Sequence, residues 1–192
     1  GWGFPGWPKD CFGRGLPNSV GRRIRGAMAR AGALGPPSGI GPFRAAPTLL
    51  GHGTPEQLAQ FMPGIAMGSE LWCQLFSEPG SGSDLASLST RAELDGDEYV
   101  VSGQKVWNTG AQYADWAILM ARTDPDQPKH RGISYFAFDM RQPGVEVRPL
   151  KEMTGGSTFN EVFLTEARVP VVNMLGGPGD GWRVAMTTLS HE

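Results

Sequence analysis

The spacing of hydrophobic residues changes twice along the chain and divides it into three parts. Over residues 1 to about 66, the apolar positions are typical of helices separated by loops. After Asn18, Val20, Ile24 and Met28 fall on one helical face, which predicts an amphipathic helix with most of its arginines on the other face. A stretch rich in proline and glycine, Gly35 to Pro47, then interrupts the helical pattern.

A second helix is predicted to begin after Thr54. Thr54 suits the N-cap position and Pro55 the first helical position. Gln57 lies where its side chain and that of Thr54 can each accept a hydrogen bond from the other's backbone N–H, as in a capping box. Apolar residues then follow at helical spacing from Leu58 to Ile65.

From about residue 70 the chain changes to short apolar or alternating runs, separated by clusters of Gly, Pro and Asp. Such runs are typical of β-strands. Asp95-Gly96 favours a hairpin, because both residue types tolerate positive φ. The close spacing of the runs favours an antiparallel β-barrel or sandwich over βαβ units. The predicted strands are Leu71–Ser77, Leu88–Leu94, Glu98–Trp107, Trp116–Arg122, Ile133–Asp139, Val145–Leu150 and Glu161–Val169.

Helical spacing returns after Pro170, from Gly181 to Leu189, and the predicted helix has not ended at Glu192. The whole pattern predicts an α+β fold. Its parts are a helical N-terminal region at 1–69, a β region at 70–173 and the beginning of a further helical region at 174–192.

Composition narrows the classes of function. The 192 residues carry 17 Lys and Arg against 19 Asp and Glu, so a net charge of −2 provides no basic surface for nucleic acid. No apolar run approaches the ~20 residues of a membrane span, and no secretory signal is visible at the N-terminus. The three histidines lack metal-ligand spacing, so no metal site is predicted. Cys11 and Cys73 fit two buried thiols in a reducing compartment.

Two segments carry the candidate chemistry. In Leu75–Asp84 an apolar run ends in a loop of glycine and serine, whose backbone N–H groups can approach a phosphate closely. In Gly103–Thr109, strand alternation places Trp107 and Thr109 on one face. Taken alone, the first segment is better explained by an ordinary turn, and core packing would explain Trp107, so neither segment is specific by itself.

Taken in this order, the two segments resemble the acyl-CoA dehydrogenase family. Ser77–Asp84 is similar to the family pattern (S/T)-E-P-x-(A/S)-G-S-D, and Gly103–Thr109 is similar to G-x-K-x-W-x-(T/S). Thr90-Arg91-Ala92 lies between them, and smaller similarities cover nearly the whole chain in the family's order. Pro17–Pro47 departs from the pattern, because it lacks the acidic helix that is common there.

The resemblance implies a helical N-terminal domain at 1–69, a flavin-binding β domain at 70–173 and a C-terminal helix bundle whose first turns are 174–192. FAD would lie between the last two domains. The residues that would bind it are Gln74, Phe76, Ser77, Gly82, Ser83, Trp107 and Thr109.

Each of these residues has an implied role. Gln74, Phe76 and Ser77 would flank the flavin ring, with Ser77 bonding its polar edge. Trp107 would cover the ring and Thr109 would bond it. In the Gly/Ser loop, Gly82 and Ser83 would lie near the FAD pyrophosphate and the CoA portion of the substrate.

The implied reaction is α,β-dehydrogenation of an acyl-CoA thioester, in which a carboxylate removes the α proton while a hydride passes to the flavin. Glu192 falls on one of the two positions at which family members carry this carboxylate, and Ser190 would contact the substrate. A surface role for Glu192, with the base later in the protein, stays open. Electrons would pass to an electron-transfer flavoprotein.

The resemblance also leaves other functions open. The protein would be an acyl-CoA oxidase or a related flavin monooxygenase if its flavin reacts with oxygen. It would be a catalytically silent subunit of a heteromeric dehydrogenase, or a binding module, if it lacks redox chemistry. A homo- or hetero-oligomer, dimer or tetramer, is expected, acting in fatty-acid and lipid metabolism. The expected compartment is the bacterial cytoplasm, or the mitochondrial matrix in a eukaryote.

Overall fold

A computed structural model of the chain describes residues 1–191 and confirms the α+β prediction. The α-helices are α1 Asn18–Arg30, α2 Ala46–His52, α3 Pro55–Met67 and α4 Gly181–Leu189. The strands are β1 Trp72–Leu75, β2 Arg91–Asp95, β3 Glu98–Lys105, β4 Trp116–Arg122, β5 Ile133–Asp139, β6 Val145–Pro149 and β7 Asn160–Pro170. Within residues 1–191, no helix combines the length and the apolar character that crossing a membrane requires.

Helix α3 begins with the predicted capping box. The Thr54 hydroxyl accepts from the Gln57 N–H at 3.3 Å, and Gln57 Oε1 accepts from the Thr54 N–H at 2.9 Å. The same glutamine donates from Nε2 to the carbonyls of Val172 and Met174, at 2.7 and 2.8 Å. Gln57 therefore ties the start of α3 to the segment that follows the sheet.

The strands form one curled sheet in the order β1-β4-β2-β3-β7-β6, with β5 also paired to β4. The predicted hairpin is confirmed, because β2 and β3 pair in antiparallel fashion up to Asp95 and Glu98, and Gly96 has a φ of 66°. The sheet was expected to be antiparallel, but β4 runs parallel to both β1 and β2. Long connections separate β4 from both of these strands, which permits parallel pairing.

Two strands end earlier than the alternation of residues predicts. β1 ends at Leu75 and β3 at Lys105, so Ser77 and Trp107 lie in the loops that follow them. The backbone N–H of Val106 donates to the Ser77 carbonyl at 2.9 Å, which holds the two loops side by side. The strand argument that placed Trp107 and Thr109 on one face was therefore wrong, because both residues lie beyond the strand.

The sheet separates two hydrophobic cores. Ile118 and Met120 of β4 pack with Phe61 of α3 and Val184 of α4, and so belong to the core beneath the helices. The alternate β4 residues Ala117, Leu119 and Ala121 belong to the second core, where they pack with residues of β5 and β7 such as Phe136, Phe138 and Val162. Strand alternation thus sends one face of β4 to each core. Both predicted thiols are buried, one in each core (Cys11 and Cys73).

The segment predicted to interrupt the N-terminal helices is partly helical. A π-helical turn, Gly41–Ala45, leads directly into α2. Pro42 and Pro47 each lie at the start of one of these elements, where a missing N–H leaves no helical hydrogen bond unmade. The predicted helix α1 is present, but within it only Gly21 is buried.

Replacing Gln57 by leucine should destabilise the fold more than replacing Thr54 by alanine. Thr54→Ala removes one N-cap acceptor, which costs about 1 kcal/mol. Gln57→Leu also removes the donor to Val172 and Met174, and an unsatisfied buried carbonyl adds about 1–3 kcal/mol. Urea unfolding followed by circular dichroism measures both losses, with the exposed Ser19→Ala as the control. Equal losses for the two variants would contradict the bridging role of Gln57.

Candidate active site

A cavity of about 190 Å³ opens where β1 and β3 end. It brings together the predicted ring-binding residues Gln74, Phe76, Ser77, Trp107 and Thr109. Its remaining lining residues are Ile40, Arg44, Val106 and Asn108. The cavity therefore lies between the loop after β1, the loop after β3 and the π-helical turn of the N-terminal region.

Trp107 is the most unusual residue of the cavity. Its φ of 62° lies in the left-handed region, which bulky residues rarely adopt. Its side chain is 63% exposed, although its edge meets Phe159 with ring centroids 5.9 Å apart. A strained backbone and an exposed indole both reduce stability, and such features cluster at functional sites.

A buried ion pair joins the two sequence motifs. Lys105, at the end of β3, donates from Nζ to Glu78 Oε1 at 2.9 Å, and its side chain is 0% exposed. The same ammonium donates to the Phe76 carbonyl at 3.1 Å. Glu78 also accepts from the Ser89 N–H and hydroxyl and from the Thr90 N–H, at 2.7–2.9 Å. The carboxylate is therefore engaged by four donors on two separate segments.

The surroundings of Glu78 favour its charged form. Burial raises the pKa of Glu78, but the attraction of Lys105 and the hydrogen bonds from Thr90 and Ser89 outweigh burial and lower it to about 2. Glu78 is therefore an anion at neutral pH, where it can hold the ammonium of Lys105. The pair fixes the loop after β1 against the end of β3, beside Ser77.

Sequence reasoning assigned no role to four residues that shape the cavity. Glu78 and Lys105 lie inside the recognised motifs, so their pairing could have been proposed from their opposite charges. Arg44 donates to the Gln74 side-chain oxygen at 3.3 Å, and Asn108 donates from Nδ2 to the Gln74 carbonyl at 2.7 Å. Nothing in the spacing of the sequence indicates these last two contacts.

Other predicted site residues lie away from the cavity. Gly82 and Ser83 occupy the exposed loop after Glu78, and neither lines the cavity. Ser190 is exposed after the end of α4, where its hydroxyl donates to the Thr187 carbonyl at 2.7 Å. The predicted base, Glu192, lies outside the described residues.

A chain of buried hydroxyl groups connects α4 to the π-helical turn. Thr188 lies within hydrogen-bonding distance of both Tyr135 and Thr48, at 2.8 Å each. The hydroxyl of Thr48 in turn donates to the Arg44 carbonyl at 2.8 Å. The end of α4 is thereby fixed relative to the residue that contacts Gln74 in the cavity wall.

Replacing Lys105 by methionine should strongly destabilise the protein, because Glu78 would remain buried without its cation. Breaking one side of a buried pair costs about 3–5 kcal/mol. The double variant Glu78→Gln/Lys105→Met should lose less, since no buried charge remains. Denaturant unfolding compares these variants with the exposed Lys151→Met, and a Lys105→Met loss as small as that of the control would contradict the pairing.

The ion pair also predicts the acid limb of the stability profile. The folded pKa of Glu78, about 2, is below the unfolded value of about 4.3. Its contribution to stability is therefore complete above that unfolded value and is lost as the pH falls towards 2. Glu78→Gln should flatten the profile over this window, whereas the exposed Glu93→Gln should not. An unchanged slope in the Glu78→Gln protein would refute the assignment.

Comparison with known proteins identifies relatives over the same region. Residues 73–166 match the family model described as acyl-CoA dehydrogenase, middle domain. Acyl-CoA dehydrogenase FadE34 of Mycobacterium tuberculosis is 51% identical over 98% of this chain, which covers 26% of that protein.

Solved structures are also similar to this chain over its whole length. The steroid ACAD Tcur3481-Tcur3483 is 37% identical over 100% of this chain and 49% of its own, with a TM-score of 0.86. A chain of the ChsE4-ChsE5 complex from Mycobacterium tuberculosis is 40% identical, with a TM-score of 0.83 over 100% of this chain and 49% of its own. The chain thus spans about half the length of these structures. On the family match, the identities and the shared fold, it belongs to the acyl-CoA dehydrogenase family.

Proposed function

We propose that the full-length protein binds FAD at the cavity between β1 and β3 and dehydrogenates an acyl-CoA thioester between its α and β carbons. The observation that carries this proposal is the gathering of Phe76, Ser77, Trp107 and Thr109 around one opening. A flavin needs apolar surface against its ring and a few fixed polar groups at its edge. These residues offer both.

The neighbouring glycine loop fits the phosphate end of such a cofactor. Gly82 does not have positive φ, and a Cβ atom placed on it would meet no other segment of residues 1–191 within 4 Å. Neither backbone conformation nor packing among those residues therefore requires glycine at this position. Close approach of a ligand to an exposed backbone N–H supplies a reason for it.

The chain's own residues would each have a separate role in binding the cofactor and the substrate. Trp107 would cover the ring and exclude water from it, while Ser77 and Thr109 would hydrogen-bond its polar edge. Gly82 and Ser83 would approach the pyrophosphate and the CoA portion of the substrate. FAD, when bound, supplies the acceptor for the substrate hydride.

A residue near the C-terminal end of the sequence would remove the α proton of the substrate. Glu192 would take the α proton as a carboxylate base, and Ser190 would contact the substrate beside it. Desolvation near a flavin would raise the pKa of such a base towards neutrality and strengthen it. The hydroxyl chain from Tyr135 to Thr48 supports a role for this region, because it links Thr188 of α4 to the backbone of Arg44, which lines the cavity.

The relatives suggest what the substrate and partners are. Tcur3481-Tcur3483 is titled a steroid ACAD, and its name, like ChsE4-ChsE5, pairs two different chains. We therefore favour a steroid-derived acyl-CoA substrate over a straight-chain fatty acyl-CoA, and a hetero-oligomer over a homo-oligomer. As the resemblance implies, electrons would pass from the reduced flavin to an electron-transfer flavoprotein.

A catalytically silent subunit is the second candidate. The pairing of two different chains in the related complexes favours it, because one chain of a pair can lose a function that the other retains. FAD binding separates the candidates. A silent subunit would leave the Trp107 cavity empty of flavin, whereas the proposed dehydrogenase would be purified yellow.

Trp107→Ala should weaken FAD binding by the full-length protein about tenfold or more, because stacking and burial against one aromatic ring are worth about 1.4 kcal/mol or more. Tyr113→Ala, which removes an aromatic side chain that is 70% exposed and outside the cavity, is the matched control. Titration of apoprotein with FAD, followed by flavin fluorescence, measures both affinities. Equal affinities for wild type and the Trp107 variant would refute the site.

Glu192→Gln should lower turnover of an acyl-CoA by at least about a hundredfold, the usual scale of general-base catalysis. FAD affinity should stay within about twofold of wild type, because the residue is proposed to act on the substrate and a twofold change is only ~0.4 kcal/mol. Single-turnover bleaching of the flavin by a steroid acyl-CoA and by a straight-chain acyl-CoA provides the assay. Near-normal bleaching by the variant would place the base elsewhere.

A further inference from the structure

The backbone around Trp107 is held in place by a pair of asparagines. The Asn108 N–H donates to the Asn160 carbonyl and the Asn160 N–H donates to the Asn108 carbonyl, both at 3.1 Å. The Asn160 side chain adds a third bond, from Nδ2 to the same Asn108 carbonyl at 2.8 Å. Both asparagines are buried, at 2% and 0% exposure. The residue after Trp107 is thus fixed to the start of β7.

Asn108 also makes a bond in a second direction, to β1. Its Nδ2 donates to the Gln74 carbonyl at 2.7 Å. Gln74 belongs to β1 and also lines the cavity, where Arg44 donates to its side chain. One side chain therefore connects the wall that carries Gln74 to the wall that carries Trp107 and Thr109.

Fold stability alone gives a poor account of asparagine at this position. The other side-chain atom, Asn108 Oδ1, is buried and has no hydrogen-bond partner among the described residues. An unsatisfied buried acceptor costs about 1–3 kcal/mol, and an apolar residue of similar size would avoid that cost. The adjacent Trp107 adds backbone strain. Local costs of this kind are expected where function, rather than stability, determines the residue.

We propose that Asn108 is a positioning residue for the flavin site. Together with the Asn160 bonds it holds the loop that carries Trp107, and its own bond to Gln74 sets the separation between Trp107 and Gln74, so that the cavity has its ring-binding width before the ligand arrives. The inference rests on the proposed function, because it concerns the same cavity. Without the bond to Gln74, the loop that carries Trp107 is held only at Asn160, so the separation between Trp107 and Gln74 varies and must be reset each time FAD binds.

A double-mutant cycle in the full-length protein tests this role. Asn108→Leu keeps the size of the side chain and removes the bond to Gln74, and it should weaken FAD binding about tenfold. In a Trp107→Ala background the same substitution should change FAD affinity by less than about threefold, because the ring that it positions is absent. A purely structural role predicts equal effects in both backgrounds.

The control is Asn173→Leu, which replaces another buried asparagine, 6% exposed and outside the cavity. It should leave FAD affinity unchanged even if it lowers the melting temperature. If Asn108→Leu does not fold, Asn108→Ser, which is too short to reach the Gln74 carbonyl, replaces it in the cycle.

Three outcomes of these measurements distinguish the role of Asn108 from the proposed function. Coupling between Asn108 and Trp107 supports the proposal. Additive effects, or an Asn108 variant that binds FAD as wild type does, overturn it while leaving the proposed function standing. Wild-type protein that fails to bind FAD overturns the proposed function, and the inference with it.

Discussion

The ion pair between Glu78 and Lys105 is the interaction on which the candidate site depends. It lies at the point where two strands end, and it satisfies a carboxylate that would otherwise be too costly to bury. Besides the buried lysine, Ser89 and Thr90, which lie just before β2, supply three further donors to the carboxylate oxygens. Two motifs that are separate in sequence thereby become one structural unit.

The consequences extend from this pair to the cavity. Because Lys105 also binds the Phe76 carbonyl, the backbone that leads into Ser77 is fixed on the buried side. The Val106–Ser77 hydrogen bond then keeps the two loops together, and Trp107 follows immediately in its strained conformation. The site is built from loop residues whose positions are set by buried charges and amides. This arrangement suits a ligand that requires rigid walls.

The sequence was most informative where a local rule determines the structure. The capping box of Thr54 and the hairpin at Asp95-Gly96 were predicted and are confirmed, because each depends on a few adjacent residues. β4 and β5 were predicted with their observed bounds, since buried strands are apolar along their length. The prediction that Ser77 and Trp107 lie at one cavity depended on the family resemblance.

The errors came from interactions between distant segments. The end of β3 was misplaced because the backbone beyond it bonds to a distant segment, at Asn160, 52 residues from Asn108 in the chain. The parallel pairing of β4 with β1 is likewise set by the path of the connections, which the alternation of apolar and polar residues does not indicate. The division at 69/70 and 173/174 stays a prediction, because the core beneath the helices draws residues from both sides of each boundary.

The central claim is that the opening between β1 and β3 is where a flavin ring lies. A crystal structure of the full-length protein grown with FAD tests this most directly. The account predicts the ring in van der Waals contact with Trp107, at about 3.5–4 Å, and its polar edge within about 3 Å of Ser77 or Thr109. A flavin bound elsewhere, with Trp107 turned away from it, would contradict the account.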